Sequence, residues 1–126
     1  MAMAKSGLIR FARIRLENWC NFVSVDVPLQ RRVFLVGPNA SGKSNFLDAF
    51  RFLGDIVAVG GGLLQAVRQR SGVSSLRCLA ARRYADIAIH VSIADDETGQ
   101  LWEYDLHFSQ DNLQRPIIKK EHVVRN

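Results

Sequence analysis

Residues 37–44 read GPNASGKS and complete the pattern GxxxxGK[ST] at Gly37, Gly42, Lys43 and Ser44. The pattern makes a physical demand on the fold. Successive backbone N–H groups must turn inward around an anion, and glycine permits that conformation. A buried strand has to lead in and a helix has to follow. Both are written into the flanks. Residues 33–36, VFLV, form the continuous apolar run of a strand covered on both faces. After the loop, Phe46, Phe50 and Leu53 recur at i, i+4 and i+7, and Leu47 and Ala49 widen the stripe. Gly54 is predicted to end this helix in the left-handed conformation.

The residue types specify the ligand chemistry. Inward N–H groups and the positive end of a helix hold a phosphate. Lys43 is expected to reach the β- and γ-phosphates of ATP, and Ser44 to offer its hydroxyl to Mg²⁺. The remaining loop residues, Pro38, Asn39, Ala40 and Ser41, complete the cofactor-binding set. An ordinary glycine-rich turn capping a helix would leave Lys43 and the lead-in strand unexplained.

Around the loop, a chain of 126 residues with 48% apolar residues suits one domain with one core. The net charge is +5, but it is unevenly spread. Residues 1–83 hold 13 basic and 4 acidic side chains; residues 84–126 hold 4 and 8. The basic part contains the loop, which favours an anionic partner such as ATP or a nucleic-acid backbone. Cys20 and Cys78 show neither CxxC spacing nor a neighbouring His, so they read as free thiols and not as a disulfide or zinc framework. No apolar run approaches membrane-spanning length and the N-terminus lacks a signal-peptide pattern. The expectation is a soluble cytoplasmic protein with no membrane partner.

Alternation predicts strands at each end. Ala12, Ile14 and Leu16 share one face; so do Val23, Val25, Val27 and Leu29, with Pro28 demanding an edge or a turn. LLQAVRQR reads as a short helix, and SSLRCLAARR as another with Ser74 or Ser75 as its cap. Further on, Ile87, Ile89, Val91 and Ile93 alternate, as do Trp102, Tyr104, Leu106 and Phe108, and RPIIKKEHVV opens a third run. This predicts an antiparallel meander with one solvated face.

The stretch LVGPNASGKSNFLDAFRFL resembles the RecF and SMC-like branch of the ABC-type ATPases, often named simply AAA family ATPases. Asn39, Asn45 and Asp48 match that branch, and Asn45 joins the binding set on this ground. IRLENWCNFVSVDVPL is similar to its N-terminal hairpin. Ala40 departs from the usual glycine, and Cys20 follows Trp19 where a basic residue that touches nucleotide is common; the contact is then either missing or made more weakly by Asn21. The resemblance implies an α/β fold, the N-terminal lobe of an ABC-type P-loop NTPase head, with a mixed sheet and an antiparallel β-subdomain. Residues 1–54 would hold the hairpin, loop strand, loop and helix, residues 55–83 a helical connection, and residues 84–126 the β-subdomain. It also implies head-to-head dimers and roles in DNA repair, chromosome maintenance or phage defence.

Hydrolysis in that family requires an Asp-Glu strand end, an LSGG-like signature and a late His. No signature segment is found in this sequence, so no catalytic residue is assigned, and a C-terminal ATPase lobe is an expected partner in cis or in trans. The acids Asp95, Asp96 and Glu97 follow an alternating run and lead into Thr98-Gly99, which marks a hairpin turn. His90, His107 and His122 read as polar-face residues. Arg68, Arg70, Arg77, Arg82 and Arg83 read as solvated helix faces or, more sharply, as a DNA- or partner-facing patch. Two other classes stay open: a scaffold or DNA-binding module with an unused loop, and a small P-loop kinase.

Overall fold

The computed structural model describes residues 9–38, 42–78 and 86–126. Among them, five strands form one antiparallel sheet: β1 (Ile9–Trp19), β2 (Phe22–Pro28), β3 (Ile87–Asp95), β4 (Leu101–Gln110) and β5 (Pro116–Arg125), in the order β2-β1-β3-β4-β5. The predicted hairpin and the predicted meander are therefore one sheet, joined where β1 pairs with β3. The expected mixed sheet is not seen among the described residues, where every pairing is antiparallel. Pro28 closes the edge strand β2, where its missing N–H breaks no ladder.

Helix α1 (Lys43–Val57) lies on one face of this sheet. Its buried residues are Phe46, Ala49 and Phe52, with Phe50 and Leu53 packed partly against the same core. The apolar stripe is thus centred one position away from the predicted one, and Phe52 becomes fully buried. Phe52 stacks on Phe108 of β4 at 5.4 Å and lies 5.1 Å from Trp19. The helix does not stop at Gly54; it continues to Val57 and is followed by extended Ala58. Gly54 meets no crowding and takes helical geometry there, so its freedom is not used.

Two short helices follow, α2 (Leu63–Arg68) and α3 (Val73–Leu76). The second is a single turn introduced by Gly72, not by a serine cap, and Arg77 leaves it in extended conformation. Within the described residues the predicted helix does not run past Leu76: Arg77 pairs as an isolated antiparallel bridge with Trp19, and Cys78 N–H goes to the Asn18 carbonyl. Residues 79–85, including Arg82 and Arg83, lie outside the described residues.

Residues 33–36 depart most from expectation. They are not a strand, and Phe34 and Val36 are 84% and 93% exposed. A parallel strand is held by hydrogen-bonded neighbours on its flanks, and none of the described strands pairs with this segment. On β3, by contrast, the face expected to be solvated is partly covered. Ala88 and Ser92 are buried; Ser92 sits between Arg13 of β1 and Glu103 of β4 in the ladder. Small side chains on a central strand are covered by long neighbours on both sides.

One cation ties α1 to α2. The Arg70 side chain is only 13% exposed; its guanidinium donates from Nε and Nη2 to the Asp48 carboxylate, both at 2.9 Å, and from Nη1 to Asp55 at 2.8 Å. It also lies 5.2 Å from the centre of the Phe52 ring. Fork-shaped pairing of this kind is specific to arginine. Replacing Arg70 with Met should destabilise the chain by about 1–3 kcal/mol in urea unfolding, whereas Arg68→Ala, at an exposed position, should change it by less than about 0.5 kcal/mol.

Candidate functional site

The candidate phosphate loop meets α1 at Gly42, which takes φ 99° and ψ 5° and is buried. Two constraints select glycine here. The left-handed φ is costly for a residue with a Cβ, and a Cβ at this point would run into the side-chain amide of Asn21. The first helical hydrogen bond follows at once, from Phe46 N–H to the Gly42 carbonyl at 2.9 Å. Gly42, as the N-cap, makes no side-chain cap bond, and the first turn carries no acidic residue. A helix end of this kind suits an anion.

Lys43 is half-buried and donates its Nζ to the Gly37 carbonyl at 2.5 Å, so the lysine spans the mouth of the loop. Ser44 is exposed on the first turn and Pro38 is exposed beside Gly37. The structure thus brings together Gly37, Pro38, Gly42, Lys43, Ser44 and Asn45; the expected Asn39, Ala40 and Ser41 lie outside the described residues. This donor set fits a nucleotide polyphosphate with its cation: helix-end N–H groups, one ammonium and one exposed hydroxyl. An apolar cavity of about 350 Å³ lies alongside, lined among others by Phe22, Val27, Leu35, Lys43 and Phe46.

The β1–β2 turn reaches the same helix end, which periodicity alone does not reveal. Trp19 is fully buried and its indole N–H donates to the Asn45 carbonyl at 2.8 Å. Asn45 in turn donates its Nδ2 to the Asn21 side-chain oxygen at 3.0 Å. The sequence signal for this contact is the aromatic-Cys-Asn turn itself. Cys20 and Cys78, far apart in sequence, line one cavity with Asn21, Asn45 and Arg77; both thiols are free. Burial first, and the nearby Asp48 carboxylate second, push the Cys20 thiol up to about 11.

The other expected features have settled roles. Arg70 is used by Asp48 and Asp55, and Arg77 donates to Ser109 Oγ at 3.1 Å, which removes both from a free basic patch. Asp95 accepts the backbone N–H groups of Glu97 and Thr98 and so builds the β3–β4 turn. The Glu97 bond, ahead of the others, holds its carboxyl below the usual range. On the solvent face of the sheet, His90 and His107 flank Asp105, which also pairs with Lys120 at 2.9 Å. Burial opposes ionisation of Asp105, but Lys120 and His107 outweigh it and hold the carboxyl low. Among the described residues, no group of three His, Cys, Asp or Glu side chains is placed to hold a metal ion, and no helix is long and apolar enough to cross a membrane.

The family model described as "AAA domain, putative AbiEii toxin, Type IV TA system" matches residues 32–125, about three quarters of the chain. The match takes in the whole candidate loop, α1 and the sheet from β3 onward. No curated protein matches the sequence.

Two measurements follow from this geometry. Gly42→Ala should lower stability by about 1–3 kcal/mol in denaturant unfolding, through the left-handed φ and the collision with Asn21. Alkylation of Cys20 by iodoacetamide at pH 8 should run about one to two orders of magnitude slower in the folded protein than in urea, because the thiolate is scarce. Peptide mass spectrometry against time checks the rates.

Proposed function

The chain belongs to the family of AAA domains described as putative AbiEii toxin, Type IV TA system, and from that premise we propose that it binds Mg-ATP through residues 37–45. An AAA-type domain is a P-loop-type ATPase domain, and nucleotide binding is its family-level property. The observation that carries the residue-level reading is the end of α1. Gly42 holds a left-handed φ and, as the N-cap, makes no side-chain cap bond, and Lys43 reaches back to Gly37. Lys43 would exchange the Gly37 carbonyl for phosphate oxygens, and Ser44 would contribute its hydroxyl to the magnesium ion. ATP supplies the phosphate charge; the chain supplies donors and their orientation.

The finer reading is the N-terminal lobe of a RecF/SMC-like head, spanning residues 1–126. It is supported by GPNASGKSN with NFLDAFRFL and by the exposed apolar segment 33–36. A chain that exposes Phe34 and Val36 beside its phosphate loop suits a partner strand from a second ATPase lobe, in cis or in trans. Closure of two such heads on two nucleotides, and service to DNA repair, chromosome maintenance or phage defence, belong to the same proposal.

Equilibrium dialysis with labelled ATP and Mg²⁺ tests it on the wild type and Lys43→Ala. Retention by the wild type with a loss of at least about tenfold in the variant is expected, since a charge-assisted phosphate contact is removed. Equal retention by both proteins sinks the reading. The chain alone should release phosphate slowly or not at all; brisk release that depends on Lys43 would show that the cutting residues are already present.

A further inference from the structure

We propose that Asn21, on the β1–β2 turn, is a positioning residue for the nucleotide phosphates. It would act by fixing the first turn of α1 through its hydrogen bond to Asn45, beside Gly42. The inference rests on the reading of residues 37–45 as the phosphate site, and it concerns a residue outside that loop.

Asn21 touches the loop's exit at two points. Its side-chain amide lies against Gly42, where a Cβ would collide with it. Its Oδ1 accepts the Asn45 Nδ2 at 3.0 Å. Gly42 and Asn45 are three residues apart and so share one face of the starting helix. Lys43 lies between them in sequence and sends its ammonium to Gly37. One side chain thus bridges the two residues that flank Lys43 and Ser44 and set the direction in which the terminal N–H groups point.

The turn that carries Asn21 is held against its own preferences. Asn18 and Cys20 have φ of 57° and 52°, and the left-handed region costs a cysteine about 1–2 kcal/mol. Three bonds keep it there. Cys20 N–H donates to the Leu76 carbonyl at 2.6 Å, Cys78 N–H donates to the Asn18 carbonyl at 2.9 Å, and the Trp19 indole donates to the Asn45 carbonyl. Strain that the surroundings over-determine is characteristic of sites where geometry serves function. Asn21 itself is exposed and outside the core. The fold therefore loses little when it is trimmed, and the local effect falls on the loop.

The test is a double-mutant cycle on the full chain with Mg-ATP as the probe: wild type, Asn21→Ala, Asn45→Ala and the double variant, with Lys43→Ala as the reference for a lost site. Loss of one neutral hydrogen bond should weaken ATP binding about fivefold in Asn21→Ala. The double variant should be no weaker than the weaker single variant, because the two residues act as one unit. Melting of the nucleotide-free proteins should stay within about 2 °C of wild type. Wild-type affinity in Asn21→Ala, alongside a lost site in Lys43→Ala, overturns the positioning role and leaves the ATP reading standing. Additive losses overturn it as well, since Asn21 then acts independently of Asn45. An affinity loss matched by a lowered melting temperature reduces Asn21 to a fold residue and overturns it too. No retention by the wild type would sink both readings together.

Discussion

A buried indole must place its N–H, and in this chain that requirement joins the sheet to the helix. Trp19 ends β1 with no exposed surface. Its ring meets Phe52 from α1, its N–H goes to the Asn45 carbonyl, and its backbone bridges to Arg77 after α3. An unpaired indole N–H in an apolar core would cost on the order of 1–3 kcal/mol. The helix therefore cannot slide along the sheet without leaving that donor empty. The position of α1, and with it Gly42, Lys43 and Ser44, is tied to this anchor.

Arg70 serves the far side of the same helix. Its two carboxylates, Asp48 and Asp55, lie seven residues apart on α1, about two turns. The guanidinium clamps α2 along that length and covers the Phe52 ring. What looked like part of a basic surface is internal structure. The core is built on one face of the sheet, where Ile14, Leu16, Ile89, Val91, Leu106 and Phe108 meet the helix. Residues 33–36 stand outside this arrangement, with apolar side chains that the described sheet does not cover.

Much of this was legible in the residues. Period-two alternation in IRFARIRLENW and IAIHVSIAD marks strands because one face must be buried. The meander follows from the same rule, whereas the hairpin that turns at Cys20 and Asn21 was expected from the family resemblance. The helix after the loop was legible from its stripe, though not its end: Gly54 is a breaker by propensity, yet helical packing carries the chain on to Val57. The Ser74-led helix was misread because the bridge from Arg77 to Trp19 competes with helical hydrogen bonds and wins. Residues 33–36 were misread because an apolar run states only that a segment is fit for burial, not that a neighbouring strand is there to bury it.

The sequence by itself set the expectation for the loop: the order Gly-Lys-Ser after an apolar run, with asparagine following, is a pattern suited to a phosphate. It also determined which faces of the strands turn inward, since alternation is a local property of each segment. Only the tertiary structure decided that the two strand groups make one sheet, that Cys20 and Cys78 line one cavity, that Arg70 is an internal clamp, and that Asn21 rests against the loop's exit. These are contacts between residues separated by 15 to 86 positions. They depend on how elements dock, and no periodicity within a segment encodes a docking partner.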